Sequence, residues 1–201
     1  MEEVHYDELW KNIIEKLFPH FLSYFMPTLY ADADLSLGYI FLDKELDKLK
    51  LKGKQGKNVA DKLVKITLKS GVEKWLLIHI EVQGDHIARF GQRMFRYFYR
   101  IYDKYDAVDI TALAVFTYKT DNNYDFDYNV YGTLAQYRYN KSYIFSYNES
   151  DLLLNQNPFA LVCLAVQYAK EYKNDDDEKY RVKRNLMKLL KDRKYSRDEI
   201  R

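Results

Sequence analysis

The run Trp75 to Gln83, WLLIHIEVQ, constrains this chain more than any other stretch: it is apolar enough for a buried strand, yet it carries Glu81 and Gln83 near its end. In an extended strand, residues two apart share a face. His79, Glu81 and Gln83 therefore fall on one side, and Ile78, Ile80 and Val82 on the other. Burying an unpaired Glu costs several kcal/mol, so a metal ion, a cation or a wet cleft must lie beside Glu81.

The preceding segment supplies a partner strand. ADKLVKITL, Ala60 to Leu68, alternates apolar and polar residues, and KSGVE is a turn that leads straight into KWLLIHIEVQ. The two runs predict an antiparallel hairpin turning near Ser70 and Gly71. Asp61 and Glu81 stand about equally far from that turn. The hairpin therefore brings Asp61, Glu81 and Gln83 together at one end of the pair.

Around the hairpin the pattern is mixed α and β. Trp10, Ile13, Ile14, Leu17, Phe18 and Phe21 recur at helical spacing and predict one amphipathic first helix, with Asp7 at its cap and Glu8 and Glu15 on its solvated side. Tyr39 to Leu51 has no clear period, and Leu51 to Asn58 reads as a polar loop. After the hairpin, Gly84 and Asp85 stop the strand and cap a long helix from Ile87 to about Tyr105. ITALAVFTY, Ile110 to Tyr118, then returns as a strand parallel to the second one through a right-handed crossover. TDNNYDFDYN reads as a polar loop, and Tyr131 to Tyr147 as one or two edge strands. Pro158 to Tyr172 and Glu178 to Leu190 read as helices. The final SRDEI resembles a cap and first turn, which predicts a shortened relative of a longer protein.

Composition narrows the class. With 201 residues, 47% of them hydrophobic and 31% charged, the chain suits one α/β domain over residues 1–150 followed by a helical region over 151–201. A net charge of +2 gives no global attraction to polyanions, so any nucleic-acid binding must come from local clustering. The lone Cys163 excludes an internal disulfide. The acidic start MEEVHYDELW has no signal-peptide apolar region, and no apolar run approaches the roughly 20 residues of a membrane span. A cytoplasmic location is the expectation. Twenty Tyr supply amphipathic rings that either close a core edge or stack on a base.

Two acids at one strand edge make a plausible divalent-cation site, because magnesium takes oxygen ligands and needs only one or two protein carboxylates. The carbonyl of Val82 adds a further oxygen. Such an ion acidifies water and neutralises charge on a phosphate, as phosphodiester hydrolysis requires.

At these residues the chain resembles the PD-(D/E)XK nuclease superfamily, specifically its recombination-promoting nuclease and transposase-like branch. FLDKELDKL, ADKLVKI, LLIHIEVQG, RMFRYFYRIYDKY and ITALAVFT follow in that branch's order, covering roughly residues 5 to 120, and NPFALVCLAVQYAK and KRNLMKLLKDRKYSRDEI extend the likeness less sharply. The resemblance implies a restriction-endonuclease-like mixed central sheet flanked by helices, and a magnesium-dependent DNA endonuclease linked to recombination. It matches Asp61 and Glu81 to the metal-binding acids. Gln83 stands where the superfamily name has Lys; it can orient a water or phosphate oxygen but brings no ammonium charge.

The following helix adds a separate observation. Arg89, Arg93, Arg96 and Arg100, spaced by four, three and four, share one helical face beside the apolar Phe90, Met94, Tyr97 and Ile101. A guanidinium row suits backbone phosphates, with affinity falling as salt rises, and no base-reading motif accompanies it. Plainer readings stand beside these. Asp61 alone fits a strand-start carboxylate, Glu81 a buried ion pair, His79 a satisfied core histidine, and the Arg row and the basic tail a solvated face. The rival functions are a degenerate nuclease fold that binds DNA or protein without cutting, and an assembly of identical copies through the aromatic Tyr124 to Tyr147 region.

Overall fold

The computed structural model describes residues 6–49, 59–81, 89–106 and 109–195. Its first helical stretch is two helices rather than one: α1 (Tyr6–Lys16) stops at Leu17 and α2 (Phe18–Phe25) restarts there. Pro19 explains the break, because proline is accepted in a helix's first turn and disrupts its interior. Asp7 consequently sits inside α1 and not at its cap. The short α3 (Pro27–Asp32), strand β1 (Tyr39–Phe41) and α4 (Asp43–Leu49) fill the segment that had shown no clear period.

The hairpin forms as expected from β2 (Val59–Thr67) and β3 (Glu73–Glu81), antiparallel from Val59↔Glu81 to Thr67↔Glu73. Its turn is closed by the Leu68 and Gly71 N–H groups, which donate to the carbonyls of Val72 and Leu68 at 2.8 Å each. Gly71 sits at φ +84, where a side chain would be strained. Helix α5 (Phe90–Lys104) carries the chain to β4 (Ile110–Phe116), which is parallel to β3 with Trp75 opposite Ile110 and Glu81 opposite Phe116. The Gly84 and Asp85 cap expected for this helix lies outside the described residues.

The next segment departs from expectation. Phe126 to Asn129, read as loop, belongs to β5 (Phe126–Val130), which pairs with β6 (Thr133–Tyr137) in a separate two-stranded hairpin. Only β7 (Asn140–Tyr143) joins the main sheet, parallel to β4 at its far edge, giving the order β1-β2-β3-β4-β7. The chain finishes through α6 (Glu149–Leu154), α7 (Pro158–Glu171) and α8 (Asp176–Asp192), the helical C-terminal region that was expected. SRDEI falls outside the described residues. Among the described residues no helix is long and apolar enough to cross a membrane.

Both faces of the sheet are covered, as expected where a strand such as β4 is apolar on each side. Helices α1, α2 and α7 press Ile14, Phe18, Phe21, Phe159 and Leu164 onto Val64, Ile66, Leu76, Leu113 and Val115. On the opposite face α5 lays Phe90, Met94, Tyr97 and Ile101 over Leu63, Trp75, Ala112, Ala114 and Phe116. Asn157 joins α7 to α2: its side chain accepts from Phe159 N–H and donates to the His20 carbonyl and the Ser23 hydroxyl, all at 2.9 Å. Cys163 is fully buried in the first core, and that burial pushes its thiol up to about 12, so it stays protonated and inert at neutral pH.

Candidate active site

The strand register positions the two acids. Val59 pairs with Glu81 and Asp61 with His79, and paired residues in an antiparallel ladder share a face. Positions 61, 79 and 81 therefore lie on one face of the sheet, the one that also carries Leu63 and Trp75 and is covered by α5. Asp61 and Glu81 are diagonal neighbours, a relation that separates backbones by about 7–8 Å. Val82 and Gln83 lie outside the described residues.

Magnesium suits this donor chemistry: it takes hard oxygen ligands and keeps several waters, so it needs no dedicated protein cage. Among the described residues no group of three or more His, Cys, Asp or Glu is placed to hold a metal ion. The candidate set is two carboxylate positions on adjacent strands, and not a closed protein site.

Helix α5 carries Arg93, Arg96 and Arg100 on the flank of its buried stripe, while Arg89, the first of the expected row, stands just before the helix as its N-cap with non-helical backbone angles. Phe90, Met94, Tyr97 and Ile101 are buried, while Arg89 and Arg96 are exposed and Arg93 and Arg100 half-buried. The Arg93 guanidinium lies over the Phe90 ring, 5.0 Å from its centroid, which fixes one of the row against the core. Lys104, four residues beyond Arg100, reaches Glu45 of α4 at 3.5 Å. That side of α5 therefore turns toward α4, which packs on β2, the strand of Asp61. Hydrogen bonds from Lys48 and the Tyr105 hydroxyl hold the Glu45 carboxyl down to about 2.

Sequence reasoning missed the residue next to Asp61. Lys62 sits on the opposite face of β2, only 2% exposed, with its ammonium paired to Glu15 of α1 and to Asp43 of α4, the latter at 2.5 Å. The Phe41 ring centroid lies 5.2 Å from the same nitrogen. Glu15 is thus an ion-pair partner as well as a solvated helix residue. Strand alternation gave the only signal, since Lys62 shares its face with Val64 and Ile66, both buried. Three elements, α1, α4 and β1, converge on this lysine and hold the strand at the residue next to position 61.

The loop after β4 is legible in the sequence over residues 120–125, but the contacts that tether it are not. Tyr124 gathers the segment: its hydroxyl bonds Thr120 Oγ1 at 2.7 Å, Asn122 Nδ2 at 3.3 Å and the Tyr118 hydroxyl at 3.5 Å. The Tyr143 hydroxyl donates to the Asn122 carbonyl at 3.1 Å, and the Tyr139 hydroxyl to the Tyr124 carbonyl. Asp125 is held by Lys141 and by Arg138 at 3.0 Å. The tyrosine-rich composition here does two tasks at once, ring packing and loop tethering. Comparison with protein families, with curated proteins and with solved structures returns no match to this chain.

Proposed function

We propose that this protein is a magnesium-dependent DNA endonuclease of the PD-(D/E)XK type, from the recombination-promoting and transposase-like branch that its motifs resemble. One observation carries the reading: the β2–β3 register sets Asp61 and Glu81 diagonally on one sheet face, at the end where β2 begins and β3 finishes. The order of elements agrees with it, an antiparallel meander β1-β2-β3 followed by a crossover helix and a parallel β4.

In this reading Asp61 and Glu81 hold the ion, with the Val82 carbonyl as a further oxygen. Magnesium supplies charge neutralisation at the phosphate and acidifies water. Gln83 orients a water or phosphate oxygen through its amide, without an ammonium charge. Arg89, Arg93, Arg96 and Arg100 hold the DNA backbone, Arg89 and Arg96 being the most accessible of the four. Phosphate contacts of this kind position a duplex without reading its sequence.

Nicking of supercoiled plasmid in magnesium, and its loss in chelator, is the expected behaviour. Asp61→Asn and Glu81→Gln each remove a ligand worth about 3 kcal/mol of barrier, so each should slow nicking by roughly a hundredfold. Parental rates in both variants would refute the assignment. Retained DNA binding with no nicking in the parent would instead identify a fold that binds without cutting.

A further inference from the structure

A polar cavity of about 430 Å3 opens between the first turn of α5 and the loop after β4, within the size range of small-molecule sites. It is lined by Arg89, Gln92, Asn122, Asn123, Asp125 and Asp127, among others. Its place in the fold is informative. Phe116 closes β4 opposite Glu81, and the Phe90 ring packs on Phe116 at 5.1 Å and on Tyr124 at 5.5 Å. The cavity therefore stands at the same sheet end as Glu81, outside the carboxyl ends of two parallel strands, where open α/β sheets place their ligands.

The cavity walls are held in advance. Tyr118, Tyr124, Tyr139 and Tyr143 tie the loop down, and Gly91 lets the loop backbone touch the helix: an added Cβ there would meet the Asp125 carbonyl at 2.4 Å and that of Tyr124 at 2.6 Å. Both acids of the lining are neutralised. Asp125 is paired to Lys141 and Arg138, and Asp127 to Arg138, whose hydrogen bond lowers its pKa. What remains to meet a ligand is one guanidinium, of Arg89, and two carboxamides, of Gln92 and Asn123, since the Asn122 amide bonds the Tyr124 hydroxyl. Among the described residues, no partner is found for the side chains of Arg89, Gln92 or Asn123. Carboxamides present the paired donor and acceptor that match base edges, and a guanidinium matches phosphate.

We infer that this cavity receives an unpaired nucleotide of a DNA strand, its base met by Gln92 and Asn123 and its phosphate by Arg89. The inference rests on the nuclease reading for the identity of the polymer, and it makes single-stranded or locally unpaired DNA the preferred substrate. An intact duplex hides base edges inside its stack and must extrude a nucleotide to fill such a site.

The test uses the full chain and a short oligonucleotide carrying one 2-aminopurine, as a single strand and as a duplex, with binding read in chelator and cutting read in magnesium. The single strand should bind about tenfold more tightly than the duplex, with a rise in 2-aminopurine fluorescence as the base leaves its stack. In Gln92→Leu and Asn123→Ala, with melting curves matching the parent, the preference should fall to about one. Equal affinity for both forms without a fluorescence change, or an undiminished preference in both variants, would overturn the inference. So would competition by a free deoxynucleoside monophosphate at the oligonucleotide's own concentration, which would mark a mononucleotide site. Nicking with no single-strand preference leaves the nuclease reading and removes this one. Preference and fluorescence rise with no cutting leave this one and remove the nuclease.

Discussion

The two faces of the central sheet are built from different chemistry. Under α1, α2 and α7 the fully buried set is mainly aliphatic, with Trp10, Phe18, Phe21 and Phe159 and no tyrosine among the described residues, although Tyr24, Tyr39, Tyr147 and Tyr168 pack against its edge. Under α5 the buried set includes Tyr97 and Tyr124, and Tyr137, Tyr139 and Tyr143 pack against it. The buried interior of the first core holds its shape chiefly through the fit of apolar side chains. A tyrosine core also aims hydroxyls outward, and here they fasten the loop that borders the candidate site. In the proposed reading the sheet has a scaffold face and a working face, and the Asp61 and Glu81 positions belong to the second.

Large-to-small changes should separate the two most strongly. Phe159 is fully buried and meets Phe21 and Phe25 edge-on at 5.3 and 5.8 Å, so Phe159→Ala should cost about 3–5 kcal/mol. Phe126, half-buried, stacks on Phe95 of α5 at 4.5 Å, and Phe126→Ala should cost about 1–2 kcal/mol, since it loses a ring pair and little enclosed volume. Urea unfolding midpoints measure both. Equal losses would break the distinction between scaffold and working face.

The Lys62 cluster tests the seam between the faces. Its ammonium is buried, whereas the side chains of Glu15 and Asp43 remain 46% and 39% exposed. Neutralising both acids in a Glu15→Gln, Asp43→Asn double variant strands a buried charge and should cost about 3 kcal/mol. Each single change should cost less than half as much, because the other acid still pairs the lysine. A double variant as stable as the parent would show that the cluster does not anchor the strand.

Much of this architecture is legible in the sequence, and the exceptions have physical causes. The β2–β3 hairpin was readable because Gly71 marks a turn between two periodic runs, and the parallel β4 because a long helix separates it from β3. Arg93, Arg96 and Arg100 followed from helical spacing alone, while Arg89 stands just before the helix. The burial of Lys62 is not legible in the sequence, because alternation assigns residues to two faces without saying that both are covered. Strand β5 was hidden in a polar stretch, since Phe126 is anchored by stacking on α5, a contact of high sequence separation. The break at Leu17 lay in view at Pro19, yet the apolar spacing runs through it unbroken.

The smallest effect expected is the one that speaks most directly to the working face. Tyr139→Phe keeps the ring in place and deletes only the hydroxyl that donates to the Tyr124 carbonyl. The net cost of one such hydrogen bond is about 1 kcal/mol. Burial, reinforced by the nearby Asp125, raises the Tyr139 pKa above the ordinary value near 10, so the hydroxyl remains a donor across the neutral range. With a raised folded-state pKa, the contribution is complete below about pH 10 and declines as pH climbs above it, when the unfolded chain ionises first. The parent should therefore lose stability above pH 10 more steeply than Tyr139→Phe. Hydrogen exchange should rise at the backbone amides of residues 121–125 in the variant, while those of α7 stay protected. A loop that exchanges at the parent's rate would mean that ring packing, and not the hydroxyl, fixes this side of the sheet.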